Sequence, residues 1–236
     1  MPDDERRPAG PSTLIRQVTA VVGRFVAASN ATLLAETADG TRVVYKPIAG
    51  ERPLWDFDPE TLAWREVLAY EVAAALSWDI VPETVMGEGP YGPGSVQRYV
   101  EVDDDFDPVT LIQAADTRLW PMALLDVLIN NADRKVGHVL GSEGRVFGVD
   151  HGLTFHTDDK LRTVLWAFSG MRAPRELLGD IEQLEARLDG ELGAQVTETL
   201  GGSAFDSLRS RVRLFLDNPI HPEPPQDRPA VPWPPY

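Results

Sequence analysis

Two aspartates set across one short hairpin limit this chain more than any other feature. Asp133 lies in the polar run Asn130-Asn131-Ala132-Asp133-Arg134-Lys135-Val136-Gly137-His138, which follows an apolar stretch, Leu119 to Ile129, with helical spacing. Twelve positions beyond His138, Phe147-Gly148-Val149-Asp150-His151-Gly152 places Asp150 directly after an apolar strand and before a glycine. Between them, Val139-Leu140 and Val146 to Val149 read as hairpin arms around a turn at Gly141 to Arg145. Loops carried on rigid supports in this way often hold function. Asp133 suits a group that orients an attacking hydroxyl or accepts its proton, and His138 suits a metal ligand or a phosphate contact. A carboxylate at a strand end, as Asp150 is, suits Mg²⁺ or Mn²⁺, which prefer hard oxygen ligands and keep sites open for phosphate.

The elements around this hairpin give the fold class. Val18 to Ile48 is rich in Val, Leu and Thr and is broken at Ser29-Asn30 and Asp39-Gly40, which predicts three antiparallel strands. A helix is expected to open at Asp58-Pro59-Glu60, with Asp58 as cap, and to run to Ser77. Two short strands, Glu83 to Met86 and Ser95 to Glu101, flank a Gly-Pro cluster. The acidic loop Asp103 to Pro108 then leads to helices over Leu111 to Ala115, Leu119 to Ile129, Arg175 to Leu188, Glu191 to Leu200 and Phe205 to Asp217. This order predicts an α+β, bilobal, protein-kinase-like fold, with a small β-rich N-lobe over 12–101 and a reduced helical C-lobe over 102–218. In that arrangement Lys46, ending the strand Val43-Val44-Tyr45-Lys46, reaches toward the phosphates of a nucleotide. Glu66 is preferred as its carboxylate partner, with Glu71 on another face of the same helix.

Composition narrows the partners. The 236 residues, 43% hydrophobic, suffice for a core, while a net charge of −15 argues against nucleic acid and anionic lipid. Cysteine is absent, so disulfides and thiolate metal sites are excluded. No apolar run approaches the roughly 20 residues of a spanning helix, and the N-terminus lacks the parts of a signal peptide, so a cytoplasmic protein without membrane insertion is expected. The prolines concentrate in Met1 to Pro11 and Pro219 to Tyr236, read as extended, weakly packed arms. The second of these, 219–236, either docks on its own domain or binds a partner as a polyproline segment. Trp55, Trp64, Trp78, Trp120 and Trp166 are expected in the core or at the lobe interface.

Val44-Tyr45-Lys46-Pro47, Glu66-Val67-Leu68-Ala69-Tyr70, Asp133-Arg134 with His138, and Val149-Asp150-His151-Gly152-Leu153-Thr154-Phe155 together resemble the phosphatidylinositol 3- and 4-kinase-like superfamily. Ser29-Asn30-Ala31-Thr32, Gly50 to Phe57 and Gly89 to Ser95 look like an uncharacterised bacterial family within it. The likeness covers about Val22 to Phe168. It implies that Lys46 contacts phosphate, Glu66 pairs with it, and Gln97, Arg98, Tyr99 and Val100 form the adenine-binding hinge. By the same resemblance Ser29 and Asn30 cover the phosphates, Asp133 is the catalytic-loop aspartate, Asp150 holds the principal metal, and His138 replaces a metal-binding asparagine. An imidazole there favours Mn²⁺, Fe²⁺ or Zn²⁺ over Mg²⁺. The phosphate-covering turn departs from the glycine-rich protein-kinase pattern, with Gly23 as its only nearby glycine.

Three functions follow as expectations. The first is a metal-dependent, ATP-binding atypical kinase that phosphorylates a protein or soluble small molecule. The second is a pseudokinase-type scaffold that binds nucleotide or metal and acts through a partner. The third is a metal-dependent hydrolase built on His138, Asp150, His151 and His156.

Overall fold

A computed structural model describes residues 13–25 and 30–236; the expected N-terminal arm 1–11 lies outside them. Strands β1 (Val18–Arg24), β2 (Leu33–Thr37), β3 (Arg42–Pro47), β4 (Thr84–Gly89) and β5 (Gly92–Arg98) form an antiparallel sheet in the order β1-β2-β3-β5-β4. The β2–β3 turn follows from Asp39-Gly40: Gly40 takes φ +82°, and Asp39 accepts from the Thr37 hydroxyl at 2.5 Å and the Thr41 N–H at 3.1 Å. On one face Ile15, Val18, Leu33, Ala35, Val43, Tyr45, Val85 and Val96 form a buried apolar layer. Burying each larger side chain contributes about 1.5–3 kcal/mol. A one-residue slip of β3 would expose Val43 and Tyr45 and bury Lys46 in that layer, so burial fixes the register.

The Gly-Pro cluster expected between β4 and β5 lies inside them, pairing Gly87 with Gly94, Glu88 with Pro93 and Gly89 with Gly92. Close packing overrides the weak strand propensity of glycine here. A Cβ on Gly94 would stand 2.3 Å from the Lys46 carbonyl oxygen, and one on Gly89 would meet the Tyr45 ring at 2.8 Å.

Helix α1 (Leu62–Ala75) begins later than the expected Asp58-Pro59-Glu60 start, because Glu60 is left-handed, with φ 63°. Asp58 is not the cap. Its carbonyl accepts from Thr61 Oγ1 at 2.7 Å, and the Glu51 carboxylate, arriving from the preceding loop, accepts the Ala63 N–H at 2.9 Å. The helix ends at Ser77, φ 58°, where the Trp78 N–H reaches the Ala73 carbonyl. Nine of its residues are buried, on more than one face, since it packs under the sheet and against the second core.

That larger core joins α1 to α2 (Pro108–Gln113), α3 (Trp120–Leu128), α4 (Arg175–Arg187), α5 (Glu191–Leu200) and α6 (Gly202–Asp217), with the hairpin β6 (Val139–Ser142) and β7 (Arg145–Gly148) beside α3. Asp107 caps α2 by accepting from Val109 and Thr110 N–H. Residues 219–236 do not form the weakly packed arm expected of them. His221 is fully buried against Trp120, Trp166 and Phe168, and the backbone is bonded at Gly170–His221, His221–Met171 and Ala173–Pro219. Further on, Ala230 O accepts from the Thr163 N–H and Trp166 Nε1, and Pro235 O accepts from the Val136 N–H. The segment docks on its own chain. Trp78 and Trp120 are buried and Trp64 and Trp166 half-buried, but Trp55 is 93% exposed, contrary to its expected place in the core or at the lobe interface.

Candidate active site

Side chains alternate along β3, so burying Tyr45 on one face sends Lys46 to the other, where α1 packs. Lys46 Nζ donates to Glu66 Oε1 and, at 2.7 Å, to Asp150 Oδ1. Glu66 is nearly buried, and its Oε2 accepts the His151 N–H at 2.9 Å. One carboxylate thus ties β3, α1 and the segment after β7 together. Glu71, on another face of α1, senses Glu191 and Arg16 instead. Burial disfavours the Lys46 ammonium, yet Asp150 and Glu66 hold its pKa above the ordinary lysine range. Burial likewise opposes the Asp150 carboxylate, but Lys46 and then His138 outweigh it and keep that group well below the usual carboxylate range. Desolvation pushes Glu66 upward against the pull of Lys46.

Asp150 follows β7 in the left-handed region, φ 61°, a conformation disfavoured for a residue with a Cβ. Its Oδ2 lies 3.2 Å from His138 Nε2. His138 Nδ1 accepts the Lys135 N–H at 3.4 Å, which leaves the ring hydrogen on Nε2, facing Asp150. His138 therefore acts as a donor to Asp150 in this arrangement and becomes a metal ligand only by exchanging tautomer. Burial lowers its pKa to about 4 and keeps the ring neutral. Asp133, which accepts from Lys135 Nζ at 3.1 Å, is held in place by its own N–H to Asn131 Oδ1 at 3.0 Å. Burial raises its pKa against the opposing charge of Lys135, the direction that suits a proton acceptor.

Beneath these groups lies a network that the sequence reading did not isolate. Arg134, fully buried, is forked onto Asp126 with Nε at 3.0 Å and Nη2 at 2.9 Å. Its Nη1 donates to Val149 O at 2.8 Å, and its Nη2 donates to His151 Nε2 at 2.6 Å. Asn131 Nδ2 and Thr163 Oγ1 also donate to Asp126. Arg134 thereby fixes the loop carrying Asp133 to the Val149 carbonyl on one side of Asp150 and to the His151 ring on the other. The available signal was Asp126 itself, a lone carboxylate within the otherwise apolar helix α3.

The other expected nucleotide-site residues are placed as follows. Ser29 lies outside the described residues, and Asn30 Oδ1 accepts the Arg52 N–H at 2.9 Å. Gln97 is buried and donates to Thr84 Oγ1 at 2.8 Å. The N–H groups of Arg98 and Tyr99 are engaged by Glu83 O and Arg42 O, whereas those of Val100 and Glu101 have no partner among the described residues. His151 and His156 face away from Asp150's open side: His151 accepts from Arg134, and His156 Nε2 meets Asp56 O at 2.8 Å.

Among the described residues, no three His, Asp or Glu side chains converge to cage a metal ion. Mg²⁺ or Mn²⁺ with a nucleotide needs no such cage, since one or two carboxylates, water and phosphate oxygens complete the shell. Asp150, ionised and with 48% of its side chain exposed, fits that role.

No protein-family model matches the sequence. Solved structures similar over most of the chain include two kinases. The Helicobacter pylori proinflammatory kinase CtkA has a TM-score of 0.52 at 13% identity, covering 86% of this chain and 95% of that one. The Golgi casein kinase, also solved with Mn/ADP bound, has a TM-score of 0.52 at 14% identity, covering 87% and 72%. The antiparallel sheet, α1 and the helical C-terminal part thus have a kinase-like fold. Protein Rv2133c of Mycobacterium tuberculosis (strain ATCC 25618 / H37Rv) is 41% identical over 253 residues, spanning 91% of each chain. The chain belongs to the same protein family as Rv2133c.

Proposed function

We propose that this chain is an atypical kinase that binds ATP with Mg²⁺ or Mn²⁺ between residues 12–101 and 102–218 and phosphorylates a protein or a soluble small molecule. The observation that carries the reading is Lys46, held by Glu66 on one side and Asp150 on the other, at the end of a central strand in a kinase-like fold. Within that fold, the motifs around Lys46, Asp133 and Asp150 favour the phosphatidylinositol 3- and 4-kinase-like superfamily. Asp150 would hold the divalent cation, which when bound supplies positive charge to the phosphates. Lys46 would swing from Asp150 to the phosphates while Glu66 keeps its ammonium in place. The free N–H groups of Val100 and Glu101 suit the adenine edge better than the Gln97 side chain, which is engaged elsewhere. The acceptor oxygen forms a bond to the γ-phosphorus, the bond to the β–γ bridging oxygen breaks, ADP leaves, and the hydroxyl proton passes to Asp133.

The hydrolase alternative loses His156, whose ring nitrogens meet Asp56 O and the Asp158 N–H, and the Nε2 of fully buried His151, which is taken up by Arg134. Among the described residues no helix is long and apolar enough to cross a membrane, and with the charge of −15 we favour a cytoplasmic setting. The test follows transfer of labelled γ-phosphate from ATP, with each metal, to the protein itself, to cell extract and to water. Turnover in the native chain, reduced about 10³-fold or more in Asp133→Ala, is expected; no transfer at all would leave the scaffold reading in its place.

A further inference from the structure

A cavity of about 340 Å³ opens beside the loop that carries Asp133, lined by Trp55, Asp56, Leu153, Lys160, Arg162 and Arg228 among others. Its inner wall is continuous with that loop. Arg162 donates from Nε to Ala132 O at 2.8 Å and from its N–H to Asn131 O at 2.9 Å, while the Ala132 N–H bonds Leu153 O at 2.8 Å. Two lining residues therefore hold Ala132, the residue before Asp133, and the charge of Arg162 acts on the Asp133 carboxylate.

The charge of this cavity is opposite to that of the molecule. Three cations, Lys160, Arg162 and Arg228, face one lining carboxylate, Asp56, in a chain of net charge −15. Lys160 is paired with Asp56 at 2.8 Å, and Arg228 with Asp159, itself largely exposed, at 2.8 Å. Arg162 makes no ion pair among the described residues, and its two terminal nitrogens have no protein partner there. A guanidinium fork with both tips free matches an oxyanion, and with Lys160 and Arg228 each paired to a carboxylate, Arg162 supplies the uncompensated positive charge that a phosphate group would meet. At the rim stands Trp55, 93% exposed, with Lys160 Nζ 5.0 Å from its ring centre. An indole held in water at a cavity mouth presents a flat face to whatever enters.

We propose that this cavity is the acceptor site and that it takes a small alcohol already bearing a phosphate group. Arg162, with Lys160 and Arg228, binds the phosphate, Trp55 covers the ring or apolar face, and a free hydroxyl reaches Asp133. This rests on the kinase reading for the hydroxyl's fate, but not for the phosphate site. The acceptor keeps its own phosphate, and its hydroxyl exchanges a proton for the transferred phosphoryl group.

The test titrates the full chain calorimetrically with inorganic phosphate, glucose 6-phosphate and glucose, in the native form and in Lys46→Ala, Arg162→Gln and Trp55→Ala. Both phosphate probes, not glucose, are expected to bind with dissociation constants of about 1 mM or tighter. Arg162→Gln should weaken both about tenfold or more, with circular dichroism confirming its fold. Lys46→Ala should leave both unchanged, and Trp55→Ala should weaken glucose 6-phosphate alone. Absence of binding to the native chain, or binding lost in Lys46→Ala but kept in Arg162→Gln, overturns the proposal. ATP titrated in parallel separates the two claims: ATP binding without phosphate-probe binding sinks the acceptor site and leaves the kinase reading, whereas the reverse sinks the kinase reading and the acceptor role with it and leaves the phosphate site.

Discussion

Replacing Arg134 with methionine removes the only cation paired with Asp126 among the described residues, in a pair whose side chains are both fully buried. Asp126 would keep two donors, Asn131 Nδ2 and Thr163 Oγ1, and lose the guanidinium that neutralises it, while Val149 O and His151 Nε2 would lose a donor each. Breaking a buried pair from one side costs about 3–5 kcal/mol, a large share of the 5–15 kcal/mol that keeps a typical domain folded. With a urea dependence of about 3 kcal/mol per molar, the midpoint should fall by about 1–1.7 M. Removing both charges, in Asp126→Leu with Arg134→Met, leaves no uncompensated ion, so the double variant should be less destabilised than the sum of the singles by about 2 kcal/mol or more. Urea unfolding followed by tryptophan fluorescence gives all four stabilities. Additivity within about 0.5 kcal/mol would refute the claim that this pair acts as a unit beneath the active site.

Stability should also depend on pH. His138, His151 and His221 are held below the ordinary histidine pKa, in each case first by burial. The unfolded chain takes up protons at these positions below about pH 6.5 while the native one does not, so their contribution is full above that pH and declines as pH falls toward the folded values, by up to about 1.4 kcal/mol per unit for each. Equal urea midpoints at pH 7.5 and 5.5 would contradict this. Deleting 219–236 uncovers Trp120 and Phe168 and removes the backbone bonds of His221, which should cost about 3 kcal/mol and lower Tm by about 6–12 °C; an unchanged melt would mean that the docking contributes nothing. Trp55→Ala should shift stability by no more than about 0.5 kcal/mol, because the indole is exposed, and a larger loss on a thermal melt would return Trp55 to the core.

Lys46, Asp133 and Asp150 could be read from local pattern, because each sits at a fixed offset from an apolar run that becomes a strand or helix. Helical spacing places Glu66 and Glu71 on different faces without choosing between them, the motif around Glu66 favours it, and Lys46 pairs with Glu66. Long-range contacts were not legible. Asp126 and Thr163 are far apart in sequence and meet in a direct hydrogen bond beside Arg134, for which no periodicity exists. Propensity misplaced β4 and β5, since their glycines are set by the approach of Tyr45 and Lys46 from β3 rather than by turn preference. Proline content suggested a loose tail at 219–236, whereas its carbonyls serve as acceptors for Val136, Thr163 and Trp166, groups that would otherwise be left unbonded. Trp55 is expected in the core or at the lobe interface from its place beside apolar segments, whereas it is exposed with Lys160, far along the chain, over its ring.

The most direct test of the central claim is calorimetric titration of ATP into the full chain, with Mg²⁺, with Mn²⁺ and without metal, repeated with Asp150→Asn. The account predicts binding that requires the metal and is weakened at least tenfold in the variant, about 1.4 kcal/mol or more. Binding indifferent to both metal and Asp150, or no binding under any condition, would contradict it.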